Sequence, residues 1–145
     1  MKRSFRVALL LALAVASGLL MWPQEAAAVK TKGKSRPAQT KYLMLGISQP
    51  HCAGVETLLK GDGPTDHIGW ITLLCHASCL NELSYVLMDD GRSPDAVWSG
   101  AAKGLREGSS ALMNAADKHE LADARTALKT VTSACAACHK AHKSI

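Results

Sequence analysis

Aromatic side chains are scarce in this chain, at 4% of 145 residues. Its single phenylalanine, Phe5, lies in the apolar leader, so after residue 28 only Tyr42, Trp70, Tyr85 and Trp98 remain. A core of Leu, Ala and Val with two indoles is thin for a domain of this length, which implies that something other than side chains fills part of the interior. Segments alternating apolar and polar residues are also missing, which excludes a sheet protein. Beyond residue 41 there are nine basic and eleven acidic residues, a balanced surface with no nucleic-acid footprint.

At the start of the chain, Lys2, Arg3 and Arg6 precede an apolar run from Val7 to Leu20, and Ala26-Ala27-Ala28 follows. This is the pattern of a secretory signal over residues 1–28, cleaved after Ala28. The uncharged run is short for a bilayer span, which wants about 20 apolar residues, so no stable membrane span is expected after cleavage. A periplasmic or otherwise exported location follows, and with it an environment that permits disulfides. Residues 29–40 hold Lys30, Lys32, Lys34 and Arg36 among Gly33 and Pro37 with little apolar content, and read as a flexible basic segment.

The domain from residue 41 to 145 divides at breakers into four helical segments. The first spans about Lys41 to Lys60 and ends at Gly61-Asp62-Gly63-Pro64. The second spans about Asp66 to Met88 and is apolar almost all round near Trp70 to Leu74. Ser93-Pro94-Asp95 opens the third, which reaches about Ala116 with its apolar face broken by Gly108. Asp117 and Glu120 are a capping pair for the fourth. Its stripe of Leu121, Ala124, Leu128, Val131, Cys135 and Cys138 is the clearest apolar register in the chain. Short connections between helices of this length predict an all-α fold, an antiparallel up-down-up-down four-helix bundle.

That fourth helix ends in Cys135-Ala136-Ala137-Cys138-His139, the C-x-x-C-H attachment motif of haem c. The two thiols are spaced for thioethers to the haem vinyl groups, and His139 is the proximal axial ligand. Zinc at Cys75, His76 and Cys79 lacks a fourth ligand and the usual spacing. A thioredoxin-like reading lacks its βαβ context.

The run Cys135 to Lys143 at the end of a four-helix domain resembles the cytochrome c′ family and its low-spin relatives. Lys143 matches the family's basic position, while His142 stands where an aromatic is usual. The resemblance implies one covalent haem held between the first and fourth helices, with a residue of the first helix above the iron. An apolar residue there opens the iron to NO or CO; a sulfur ligand closes it and favours electron transfer. Met44, His51 and Cys52 are the residues able to bind, with Cys52 leading and Pro50 bending the helix beside it. A disulfide between Cys52 and Cys75 is the rival role for that thiol.

The expected function is electron transfer with a redox partner protein, binding of a diatomic gas, or both, rather than catalysis. The alternatives are a haem subunit of a larger redox complex and a small haem enzyme of peroxidase or nitric-oxide-reducing type. The family also implies a homodimer, or a heterodimer with a similar chain. His76 and His119 are expected on solvated faces.

Overall fold

The computed structural model describes residues 32–142. The signal-peptide reading of residues 1–28, together with Lys143, lies outside the described residues. Within them the protein is all-α, with a single isolated bridge pairing Lys32 and Gln39.

The first helix, α1, is built of three consecutive segments, Thr40–Leu43, Met44–Ser48 and Gln49–Leu58. The middle one is π-helical. Pro50 has no N–H to donate to the carbonyl of Gly46, and the wider π turn relieves the ladder just ahead of it. The irregularity expected at the proline therefore falls just ahead of it, as the π turn along Met44–Ser48.

Helix α2 covers His67–Met88 and is capped by Asp66, whose Oδ1 accepts from the Gly69 amide at 2.7 Å. Helix α3 covers Ala96–Asp117 and starts later than the Ser93-Pro94 pattern suggests. Its cap is Asp95, whose Oδ1 accepts from the Trp98 amide at 2.8 Å. Helix α4 covers Leu121–Ala141. The expected Asp117–Glu120 capping pair does not form: Asp117 ends α3, and Glu120 takes the cap position without a side-chain bond. His119 has φ 59°, and this left-handed residue turns the chain between α3 and α4.

Helix α3 packs between α2 and α4, antiparallel to each. Asn81 of α2 donates to the carbonyl of Arg106, and Trp98 Nε1 donates to the carbonyl of Leu87 at 2.7 Å. On the α4 side, Gly108 is buried, and a Cβ built there would stand 2.9 Å from Val131 Cγ2. What reads in sequence as a break in the apolar face is thus the place where two helices approach most closely. Leu73, Leu80 and Leu112 are wholly buried in this layer. Each contributes about 1.5–3 kcal/mol by leaving water.

Helix α1 lies along α2 and reaches α4 through side chains. Arg125 of α4 donates from Nε to the carbonyl of Leu59 at 3.2 Å and from Nη2 to that of Gly61, holding the end of α1. Toward the other end, the two helices enclose a slot.

Residues 32–39 are hydrogen-bonded to the helical body. Asp90, in the turn between α2 and α3, accepts from the amides of Ser35 and Arg36 at 2.8 and 2.9 Å and from the Ser35 hydroxyl at 2.9 Å. The buried Arg92 donates to the Arg36 carbonyl at 2.9 Å and to the Thr40 hydroxyl. A segment with no apolar surface to bury is ordered instead by hydrogen bonds to side chains far along the chain, which local composition does not display.

Candidate haem site

The periodicity of α4 places its chemistry. Ala124, Ala127 and Val131 are buried, and the same stripe carries the half-buried Cys135 and Cys138 to the slot facing α1. His139 follows, exposed to solvent but lining the slot. One small recess of about 30 Å³ is lined by Met44, Leu87, Trp98, Leu105, Cys138 and His139 among others. A second, open groove of about 390 Å³ runs along Met44, Leu45, Cys52, Thr132, Cys135 and His139. Met44, Ser48, Cys135 and His139 line both spaces.

Two of the three expected distal candidates therefore face the slot. Cys52 lies across it and hydrogen-bonds to Cys135, while Met44 lies about two turns earlier in the π-helical segment. His51 does not face it. Its Nδ1 lies 2.9 Å from His76 Nδ1 on α2, and His76 occupies the space left by Gly54. His76 is accordingly half-buried and paired rather than solvated, and burial lowers its pKa, with His51 adding to the effect. His119 is exposed as expected, yet its ring stacks on Trp70 with centroids 5.1 Å apart.

The Cys52–Cys75 disulfide is not formed. Cys75 is exposed on α2, and Cys52 points the other way, to α4. Levels along two antiparallel helices can be counted from sequence, but which side of a helix a thiol takes depends on the helix's rotation, and the π turn changes that rotation. Among the described residues no three metal-ligating side chains converge, those of Cys75, His76 and Cys79 included.

The thiols differ in acidity. The hydrogen bond from Cys135 lowers the pKa of Cys52 against an opposing push from burial, and Ser48 assists. That same contact, together with burial, raises Cys135 and keeps it a thiol. Burial and the nearby Asp95 carboxylate raise Cys138.

The floor of the slot includes a residue that the sequence alone did not single out. Trp98 is buried with its indole edge against His142, the ring centroids being 5.5 Å apart. His142, also buried, has Nε2 3.4 Å from Asp95 Oδ1 and, among the described residues, no hydrogen-bond partner on Nδ1. It thus fills the aromatic position of the C-terminal motif as a packed ring. The available signal was Trp98 itself, one of four aromatics in the domain.

The donor set is of the kind that holds a haem. Two half-buried thiols and an accessible imidazole lie on one helix beside an apolar slot, with sulfur-bearing side chains opposite. No described protein family, curated protein or solved structure matches this chain.

Proposed function

We propose that the protein is an exported c-type cytochrome of cytochrome c′-like architecture. In this reading an antiparallel four-helix bundle holds one haem c between α1 and α4 and transfers electrons to and from a redox partner. The observation that carries this is the placement of Cys135, Cys138 and His139 along one side of the slot, with Cys52 and Met44 along the other. Cys135 and Cys138 would hold the haem edge as thioethers, and His139 would bind the iron from the α4 side. When bound, the haem supplies one-electron redox chemistry at its iron.

Cys52 serves as the distal ligand on this reading, and Met44 is the remaining alternative, both through sulfur. Ser48 lies between them and is not an iron ligand, so a slot in which neither sulfur reaches would leave an open position. In that case the second reading would apply, in which the same fold binds a diatomic gas such as NO or CO.

The test is absorption spectroscopy of the purified, haem-loaded protein in oxidised, reduced and CO-treated forms. Ligation by Cys52 predicts a low-spin thiolate spectrum when oxidised, converted to high spin by Cys52→Ala and left unchanged by His51→Ala. A spectrum lost in Met44→Ala and kept in Cys52→Ala moves the ligand to Met44. Absence of haem absorption in protein made with a c-type maturation system overturns the whole reading.

A further inference from the structure

Charge is not spread evenly along the described chain. At the slot end, Lys32, Lys34 and Arg36 are exposed on the segment before α1, Lys41 is half-exposed in its first turn, and Lys140 is exposed at the end of α4. The acids there are mostly engaged: the Asp90 carboxylate binds Ser35 and Arg36, and Asp95 caps α3 beside His142. At the opposite end, Asp62, Asp66, Asp117, Glu120 and Asp123 outnumber Lys60, Lys118 and Arg125.

Apolar side chains also remain uncovered beside the slot. Tyr42 is 58% and Leu45 53% exposed, one turn apart on α1, with Leu45 lining the groove. The Lys41 ammonium sits over the Tyr42 ring, 4.9 Å from its centroid.

We propose that this end of the molecule is a docking surface for an acidic face of a redox partner protein, with Tyr42 and Leu45 at its centre and the Asp90-pinned Lys32–Arg36 segment as its basic rim. The inference rests on the haem reading above. An apolar centre within a charged rim is the usual layout of a protein interface. Complementary charge raises association rates by roughly 10- to 1,000-fold and falls away with salt. The pinning gives the surface its direction, because the same charges on a loose tail would attract without orienting and would lose entropy on docking. A partner seated here faces the mouth of the groove that holds His139.

The experiment follows reduction of the oxidised haem-loaded protein by a reduced plant-type [2Fe–2S] ferredoxin, an acidic electron donor, in a stopped-flow instrument over a range of ionic strengths. The second-order rate should fall steeply with salt. Combining Lys32→Gln, Lys34→Gln and Arg36→Gln should lower it about tenfold at low salt and flatten the salt dependence. The informative variant is Asp90→Gly, which suits the residue's φ of 61° and removes the carboxylate's bonds to Ser35 and Arg36, leaving those of Arg92 and the backbone, while making the protein more positive.

Net charge alone predicts that Asp90→Gly speeds reduction; a pinned docking surface predicts that it slows it severalfold. Lys60→Gln with Lys118→Gln, at the far end, should change little. A rate unchanged or raised by Asp90→Gly overturns the proposal, as does a far-end variant as damaging as the triple one. Mixed phosphatidylcholine and phosphatidylglycerol vesicles form the second arm. Strong vesicle binding that the triple variant abolishes, with its ferredoxin rate intact, would make a lipid surface the occupant and overturn the proposal. Thermal melts show that each variant is folded, and failure of the haem reading shows beforehand as a missing Soret band.

Discussion

Cys52 and Cys135 meet across the slot with opposite effects on each other, and this asymmetry can be tested in protein made without haem attachment. Only thiolate alkylates, so the lowered Cys52 should react with iodoacetamide well before Cys135, whose pKa is raised. Peptide mapping against time checks the order, and Cys135 reacting first would reverse it. Asp90 offers a second prediction at this scale. Its backbone bond to Arg36 chiefly lowers its pKa, with the Ser35 bonds and Arg92 assisting. A carboxylate depressed by folding stabilises the fold above its ordinary range near pH 4, and the effect is lost as pH falls through the lowered value. Amide exchange at Ser35 and Arg36 should therefore be slow at neutral pH, quicken below about pH 4 relative to the intrinsic rate, and be fast throughout in Asp90→Gly.

Among the elements, the α3–α4 contact is the most exacting because glycine permits it. Gly108→Ala gains about 1 kcal/mol in helix propensity but drives a methyl into Val131, an overpacking that costs about 1–3 kcal/mol. The expected result is a net loss of up to about 2 kcal/mol, read as a lower Tm. Gly100→Ala is the matched control, since nothing lies within 4 Å of its Cβ position, and it should raise stability by up to about 1 kcal/mol. Equal effects at the two sites would show that α3 and α4 are not in close contact. The π turn of α1 belongs to this scale too, because it sets which residues of α1 look into the slot and which look at α2.

For the molecule as a whole, the buried side chains belong mostly to α2, α3 and α4, while α1 is separated from α4 along much of its length by the slot. A ligand that fills this space adds its favourable contacts to the folded state only. The Cys135→Ser, Cys138→Ser double variant, which cannot attach haem, should thus melt well below the loaded protein. With each kcal/mol worth about 4–8 °C in a domain of this size, a loss of about 2 kcal/mol gives a drop of about 10 °C. Equal melting temperatures would mean that the slot is not part of the core.

Helix content and the phase of α4 were legible in the residues themselves, because apolar periodicity and capping chemistry are local. Leu121, Ala124, Leu128 and Val131 set the face on which Cys135 and Cys138 would lie, and the pentapeptide ending at His139 is what the proposed cofactor chemistry rests on. Helix limits were read to within a few residues, the start of α3 shifting because the Asp95 carboxylate reaches Trp98 where Ser93 does not. What the sequence could not decide was every relation that depends on how one helix is turned against another. Cys52 faces Cys135 and not Cys75, His51 pairs with His76 and not the slot, His142 packs on Trp98, and Asp90 gathers a basic segment more than fifty residues away. Such pairings arise from the rotation and spacing of whole elements, set by the summed packing of the core, and no short stretch of sequence carries that information.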